Sequence, residues 1–338
     1  MVFVNVVTGK DENIGEVSIH VDYLGSYEKQ DDMTIALNID PPTINRSNLR
    51  KMEDEQWRLN HQDGVFEDTA PIEKLQTILA YIEKLARLNN TRDLKKIVKA
   101  DFVGNRQTFS TLFTSPVHVL CKPFAIQAVR RGGVIFLHKV NDSTAERFPE
   151  THGHKFEQLA TNPRNGRIHS IDSPIDLSQQ VKGVNRCTMT SSVQSDITFF
   201  YGSQLDAIEN GERVELKASF GGMNTNWFKK QSLNTYIQST LGTVSNIIIA
   251  THSHNKKVTK IQEFSPQELE AHRNFKQLHV QFGSKRLFGV LRELKRLLVT
   301  DGDAAEVVGT TSTSVRIYSA TEDAFNFLPS EFLSSFDI

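Results

Sequence analysis

Cysteine is scarce in this sequence, with only two residues of this type in 338. Cys121 and Cys187 are too few for a disulfide framework and too isolated for a zinc knuckle. We therefore expect two buried thiols and a reducing compartment. An intracellular protein, nuclear or cytoplasmic and not secreted, fits this composition.

Long apolar runs are also missing. The longest comparable run is residues 247–250, far short of the ~18–20 apolar residues that span a bilayer. The N-terminus is apolar, but it lacks the basic start and the extended apolar region of a signal peptide, so it is interpreted as a strand. No membrane partner is expected.

A large net charge is absent as well. The chain has 39 Lys and Arg residues against 40 Asp and Glu residues, a formal net charge of −1. A bulk positive field of the kind that binds nucleic acid indiscriminately is therefore excluded. Any contact with nucleic acid must come from a local patch.

The composition that remains is typical of a folded globular protein, with 38% hydrophobic and 23% charged residues. Neither an internal repeat nor a low-complexity linker divides the chain. We therefore expect a single α+β domain over residues 1–338, with mixed β-sheets flanked by helices.

Local patterns predict several elements along the chain. The spacing of apolar residues and the positions of turn residues predict β-rich sequence over 108–140, with strands at 117–120 and 133–137. They also predict helices at 155–160, 227–241 and 286–299, and strands at 197–201, 213–218, 245–251 and 258–264. The Asn210-Gly211 step is a strong hairpin signal between the strands at 197–201 and 213–218.

This predicted hairpin carries the residues best suited to chemistry. Residues two apart on a strand share a face, so Gln204 projects with Asp206, and Glu215 projects with Lys217. Pairing across the turn brings the two acids and the lysine together. Carboxylates in this arrangement bind a hard divalent cation, and a nearby lysine can orient an attacking water at a phosphodiester.

An aspartate followed by Glu-x-Lys is also the pattern of a very large superfamily of metal-dependent nucleases. The triplet alone is a short motif, and by itself it is more often a solvated strand face with complementary charges than a metal site. Further segments must therefore be considered.

Five segments, in order along the chain, resemble those of the eukaryotic 5′-end RNA decapping exonuclease family. They are Arg-Gln-Thr-Phe-Ser-Thr-Leu at 106–112, Gly-His-Lys-Phe-Glu at 153–157, Tyr-Gly-x-x-x-Asp at 201–206, Glu-Leu-Lys-Ala-Ser at 215–219, and the region of 233–264 with Gln-Ser at 238–239. The resemblance covers about residues 100–265 and implies a PD-(D/E)XK-like nuclease core there.

The resemblance implies a metal-dependent nuclease acting at RNA 5′ ends. Expected activities are removal of incomplete or non-standard caps, including NAD caps, or release of pyrophosphate, followed in many members by 5′→3′ digestion. Expected partners are capped, NAD-capped or triphosphate RNA 5′ ends and a partner exonuclease. DNA cleavage would use the same metal site and stays open as an alternative.

The implied cofactor is one or two Mg²⁺ or Mn²⁺ ions. Carried over residue by residue, the resemblance makes Glu157, Asp206 and Glu215 carboxylate ligands, directly or through water. The Leu216 backbone carbonyl would complete the coordination sphere, and Gln204 is a further candidate ligand.

The resemblance also implies the residues that act on the substrate. Lys217 would position the attacking water, Gln238 would hold that water or the scissile phosphate, and Arg106 would clamp a substrate phosphate. Besides these three, Glu157 is expected at the substrate, and Asp206 and Glu215 are expected to be catalytic.

One departure from the family pattern affects the expected activity. The family has a glutamate where this chain has Gln204, and a neutral amide offers one oxygen and no charge to a metal. We favour an active enzyme, because the other site residues are retained. The alternative is a weakened relative that binds RNA 5′ ends or stabilises a partner nuclease.

Two further groups of residues are candidates for other roles. The pairs His152/His154 and His252/His254 have a spacing that could bind zinc on a strand, although each pair lacks a third ligand. Basic clusters are either solvated faces or part of an RNA channel. They are found at 229–230, 256–260, 285–286 and 292–296.

Overall fold

Two mixed β-sheets organise the computed structural model, which describes residues 2–8, 12–29, 34–59, 75–115, 123–140, 151–164, 166, 169–175, 180–309 and 314–338. The strands are β1 Val2–Thr8, β2 Val17–Lys29, β3 Ile35–Leu37, β4 Thr43–Ile44, β5 Phe102–Asn105, β6 Phe124–Arg131, β7 Val134–Val140, β8 Thr161–Asn162, β9 Val181–Ser191, β10 Ile197–Leu205, β11 Ala207–Glu209, β12 Glu212–Phe220, β13 Asn246–His252, β14 Val258–Phe264, β15 Ala304–Gly309 and β16 Ser314–Ala320.

Helices cover the faces of both sheets. They are α1 Arg46–Asp54, α2 Gln76–Leu88, α3 Leu94–Val98, α4 Arg106–Thr114, α5 Thr151–Leu159, α6 Thr225–Lys230, α7 Ser232–Leu241, α8 Pro266–Ala271, α9 Gln277–Leu297 and α10 Ser330–Ser335. None of the described helices is both long and apolar enough to cross a membrane.

The larger sheet has the strand order β1-β16-β15-β6-β7-β5-β10-β9-β2-β3, and the smaller has β14-β13-β12-β11-β4-β8. Strand β5 runs parallel to β7 and β10, and β12 runs parallel to β13. The chain passes from the larger sheet to the smaller between β10 and β11, at the single residue Asp206. This passage places an acidic side chain between the sheets.

The smaller sheet is packed on both faces. Ile247 and Ile249 of β13 belong to the same apolar cluster as Ile237 of α7. On the opposite face, Leu216 of β12 and Phe156 of α5 belong to a separate cluster with Ile248 and Ala250. Helices α7 and α5 therefore hold β12 and β13 from both sides, which fixes the side chains of β12.

Several predicted elements are confirmed. The N-terminal strand, the helix over 155–160, and the strands over 245–251 and 258–264 are β1, α5, β13 and β14. Asn210 and Gly211 form the turn between β11 and β12, with φ of 52° and 83°. Those positive angles explain the Asn-Gly sequence at this turn.

Other predicted elements need correction. The β-rich interpretation of 108–140 is wrong at its start, because Arg106–Thr114 is helix α4. The partner of β12 in the hairpin is the short β11, whereas β10 belongs to the larger sheet. Helix 227–241 is interrupted at Gln231 into α6 and α7, and the predicted final helix begins earlier, at Gln277.

The reason for the α4 error is visible in the packing. Phe109, Leu112 and Phe113 follow helical spacing, and all three are fully buried. The Phe109 ring stacks on Phe199 of β10 with centroids 4.1 Å apart. Tertiary burial therefore outweighs the β propensity of phenylalanine and threonine. The predicted strand at 117–120 and Cys121 lie outside the described residues.

Candidate active site

Glu215 lies at the centre of a buried group of charges. Its side chain is only 2% exposed. One carboxylate oxygen, Oε1, lies 2.5 Å from Lys217 Nζ, and the other, Oε2, lies 3.2 Å from a guanidinium nitrogen of Arg106. The strand alternation of β12 puts Glu215 and Lys217 on one face, as the sequence predicts.

Arg106 reaches this group because it is the first residue of α4, directly after β5. The same guanidinium nitrogen donates a hydrogen bond to the backbone carbonyl of Gln238 at 3.2 Å. A Cβ at position 242 would lie 3.1 Å from that nitrogen, so Gly242 leaves room for it. Arg106 thus joins α4, α7 and β12 at one point.

Asp206 approaches β12 from the passage between the sheets. Its Oδ2 accepts a hydrogen bond from the backbone N–H of Leu216 at 2.9 Å. The N–H and carbonyl of one strand residue point to the same edge. The Leu216 carbonyl therefore faces the edge where Asp206 lies. Strand β11 pairs with β12 only as far as Val214, so this edge is open to a ligand.

The charges shift the pKa values of the two acids in opposite directions. Burial raises the pKa of Glu215, but Lys217 and Arg106 outweigh it and lower that pKa to about 2. Burial, Glu215 and Glu157 together raise the pKa of Asp206 well above its usual range. Glu215 is therefore compensated by cations, whereas the smaller effect of Lys217 leaves Asp206 uncompensated overall.

Lys217 remains protonated at neutral pH in this setting. Burial lowers its pKa, but the carboxylates of Glu215 and Asp206 raise it by more, so the net shift is upward. Its side chain is 32% exposed, so a ligand at the site can reach it. Lys217 can donate a hydrogen bond to a ligand there, but it does not provide a neutral amine as a base.

Glu157 enters the site from α5. Its Oε2 lies 3.3 Å from Nδ1 of His154, one helical turn earlier. Together with Gln204 and Asp206, these two side chains help line a pocket of about 100 Å³. Gln204 thus lines the pocket beside the two acids, at the position where the resemblance leads one to expect a glutamate.

The donor chemistry around Asp206 suits a hard divalent cation. Asp206 and Glu157 supply carboxylates, Leu216 supplies a carbonyl, and Gln204 supplies one amide oxygen. Within the described ranges, no three His, Cys, Asp or Glu side chains already surround a common point. Both Glu215 oxygens face Arg106 and Lys217 instead. The donors fit a metal chemically, and the uncompensated Asp206 carboxylate is the group that a cation would stabilise.

The other candidate ligands are placed differently. The rings of His152 and His252 meet edge to face, with centroids 4.7 Å apart. The described part of the chain contains no set of three metal ligands at these histidines, so zinc binding there stays a prediction from the sequence. Cys187 is a buried thiol whose pKa is raised well above its usual value by burial.

Sequence reasoning missed one buried cation beside the site. Lys155 is 2% exposed, and its Nζ donates a hydrogen bond to the Ser173 carbonyl. Gln158 donates in the same way to the Pro174 carbonyl, at 2.8 Å. These bonds attach residues 173–174 to α5, which carries Glu157. A sequence signal for its burial exists: Lys155 stands four residues before Leu159, so the two side chains share the packed face of α5.

The solved structures most relevant to this arrangement are fungal. Rai1 of Candida albicans in complex with pU5 and Mn²⁺ matches with a TM-score of 0.73 at 14% identity, covering 96% of this chain and 97% of that one. Rai1 of Scheffersomyces stipitis with (3′-NADP)⁺ and calcium matches at 0.71 and 13% identity over the full length of both chains. Dxo1 of K. lactis with manganese matches at 0.64 and 13% identity, covering 94% of this chain and 98% of that one.

Among curated proteins, no relative matches this sequence. The family model of the RAI1-like PD-(D/E)XK nucleases, in contrast, matches residues 13–333. That match includes every site residue described above. The chain therefore belongs to the RAI1-like PD-(D/E)XK nuclease family, as its sequence motifs predicted, and this membership is consistent with a hydrolase.

Proposed function

We propose that this protein is a metal-dependent nuclease that acts at RNA 5′ ends. It removes incomplete or non-standard caps, including NAD caps, or pyrophosphate from a 5′ triphosphate, and then digests the RNA from 5′ to 3′. Support comes from the similar Rai1 structures, which were solved with pU5 and with (3′-NADP)⁺. The observation that carries the proposal is the buried Glu215 between two cations, beside the uncompensated Asp206.

The proposed metal is Mg²⁺ or Mn²⁺, as one or two ions. Glu157, Asp206 and the Leu216 carbonyl would hold it, Glu215 would contribute through a bound water because its oxygens face Arg106 and Lys217, and Gln204 would serve a second ion weakly. A divalent ion in such a site lowers the pKa of bound water and neutralises charge on phosphoryl oxygens.

The protein's own cations would complete the chemistry. The Lys217 ammonium, which contacts Glu215, would also donate a hydrogen bond to an attacking water and orient it. Arg106 uses one nitrogen for Glu215 and Gln238, and its remaining N–H groups would hold a substrate phosphate. The side chain of Gln238 would hold the water or phosphate from α7.

The direct test is turnover of three RNAs that carry a 5′ triphosphate, an unmethylated cap or an NAD cap, each with Mg²⁺ or Mn²⁺. We expect the wild type to release a 5′ product from at least one of them. Glu215→Gln should abolish this release, because it removes the charge that orders Arg106 and Lys217.

Glu293→Gln is a matched control for that variant. Glu293 is also a buried carboxylate paired with an arginine, Arg296, at 2.6 Å, but it lies on α9. We expect full turnover in this control. Equal turnover by wild type and Glu215→Gln would refute the proposed site. Single-stranded DNA in the same assay tests the DNA alternative, which predicts cleavage of DNA in place of RNA.

Gln204 supports a second candidate function, a weakened relative that captures RNA 5′ ends or stabilises a partner exonuclease. Its amide lines the pocket beside Asp206 and Glu157, where the family pattern has an acid. Under this alternative, the wild type binds 5′-triphosphate RNA without turnover and Gln204→Glu gains cleavage. If the wild type cleaves the RNA and Gln204→Glu cleaves it at the same rate, this alternative is excluded.

We further propose that residues 1–338 form one domain that works in the nucleus, the cytoplasm or both. The family match over 13–333 supports the single domain. Contacts between the ends of the chain support it too, because β1 pairs with β16 and Arg92 lies 2.7 Å from Asp337. Cell fractionation with a tagged full-length chain would test the compartment.

A further inference from the structure

Four aromatic rings meet at the carboxyl ends of β12 and β13, beyond the residues assigned to catalysis. Phe220, the last residue of β12, lies with its ring centroid 4.4 Å from that of His254 and 6.0 Å from that of His252. His152 of α5 meets His252 at 4.7 Å. These four residues are called the ring cluster below.

The ring cluster leaves an aromatic face in solvent. Phe220 is 52% exposed, although phenylalanine has no polar atom that would favour exposure. His254 is exposed beside it, whereas His252 is buried beneath. A large apolar ring supported by other rings offers a flat surface on which a nucleobase can stack.

The surroundings of the ring cluster are positively charged. Lys256 and Lys257 lie in the turn between β13 and β14, two and three residues after His254. The sequence contains no aspartate or glutamate from residue 246 to residue 262. Among described residues, neither of these two lysines forms an ion pair with a carboxylate. Their charges are therefore available to phosphates.

The ring cluster is continuous with the candidate active site through two elements. On β12, Phe220 shares a face with Leu216, four residues earlier, a distance of about 13 Å along a strand. On α5, His152 precedes Glu157 by five residues, about 7.5 Å along the helix. A single strand with its 5′ end at Asp206 can therefore reach the rings.

We propose that the ring cluster, with Lys256 and Lys257, binds the RNA strand that follows the reacting 5′ end, with one base stacked on Phe220. This inference rests on the proposed function and adds a base-stacking subsite to it. Stacking accepts every base, because each has a π face, so the subsite would favour single-stranded RNA without sequence preference.

The test compares wild type with Phe220→Ala in the full-length protein. Binding of 5′-phosphorylated, fluorescein-labelled oligoadenylate RNA is measured by anisotropy in EDTA, so that no cleavage occurs. We expect Phe220→Ala to weaken binding by about 5- to 100-fold, the range of one lost base stack. Phe220→Trp, which keeps a ring, should restore it.

Phe3→Ala is the matched control. Phe3 is 53% exposed and also contacts an aromatic ring, Tyr318, but it lies on β1 in the other sheet. We expect binding equal to wild type for this variant.

A series of oligoadenylates with one abasic nucleotide placed at each position in turn provides the sharper readout. One abasic position should weaken binding to wild type but should not weaken binding to Phe220→Ala further, because the stacked base is already lost. Equal affinity of wild type and Phe220→Ala for the long RNA would overturn the subsite while leaving the proposed function intact. Failure of the wild type both to bind and to cleave RNA would overturn both.

Discussion

Asp206 is the residue whose charge the fold leaves uncompensated. One backbone N–H contacts its carboxylate, while burial and the nearby Glu215 and Glu157 disfavour ionisation. The folded-state pKa therefore lies above the unfolded value. The stabilising effect of the protonated form is complete below the unfolded pKa and is lost as pH rises through the folded pKa.

We therefore predict that Asp206→Asn stabilises the metal-free protein at neutral pH, by on the order of 1 kcal/mol, while it abolishes turnover. The free energy of unfolding in urea, measured with EDTA, checks the first part. Saturating Mn²⁺ should raise the melting temperature of the wild type and leave that of Asp206→Asn unchanged. A less stable Asp206→Asn protein would contradict this account.

Glu215 has the opposite dependence on pH. Its pKa of about 2 lies below the ordinary value, so its stabilising ion pairs are present above the unfolded pKa and are lost as pH falls towards 2. The sequence placed Glu215 beside Lys217, because strand alternation is local. It did not place Arg106 there, which stands 109 residues earlier in the chain.

At the scale of elements, the contact between α4 and α9 positions Arg106. Arg286 of α9 is fully buried and donates hydrogen bonds to the carbonyls of Leu112 and Phe113, at the end of α4. A Cβ at Gly283 would lie 2.7 Å from the ring of Phe113 and 2.8 Å from its carbonyl oxygen. The two helices are therefore in close contact at this glycine.

We predict that Gly283→Ala destabilises the protein by about 1–3 kcal/mol, because the added methyl group forces the helices apart. Urea unfolding measures this change. Gly153→Ala is the control in α5, where nothing lies within 4 Å of the new methyl group, and it should be neutral or stabilising by up to about 1 kcal/mol. Destabilisation of similar size in both variants would contradict the close-contact explanation.

Most of the elements around the site follow from local sequence signals, and this explains which of them the sequence predicted correctly. Strands β13 and β14 were predicted from apolar runs and a turn, and α5 from its apolar spacing. Helix α4 was not, because its buried phenylalanines suit either conformation until β10 and α9 pack against them. The division of the hairpin between two sheets likewise depends on partners distant in sequence, as β5 and β9 flank β10.

At the scale of the whole molecule, the net charge of −1 limits how RNA can be held. Without a bulk positive field, binding depends on a few local cations beside the site. Arg106 and Lys217 lie in the site itself, and Lys256 and Lys257 lie near the ring cluster. The number of phosphates contacted should therefore be small.

We predict a shallow salt dependence for binding of single-stranded RNA. With fewer than about five phosphates neutralised, the slope of log K against log salt should be less steep than about −3.5. Anisotropy titrations over a range of salt concentrations measure it. The double variant Lys256→Gln/Lys257→Gln should reduce the slope further, whereas a steep slope would indicate an extended basic channel instead.

The sequence by itself determined the family through its ordered motifs. It also determined that Glu215 and Lys217 share one face of a strand and that Asn210-Gly211 forms the turn before it, because strand alternation and positive φ angles are local steric consequences of residue type. Only the tertiary structure decided that Arg106 pairs with Glu215, that Asp206 lies between two sheets, and that Phe220 meets the rings of His252 and His254. These features depend on packing between elements far apart in the chain, where burial and charge compensation, and not local propensity, set the geometry.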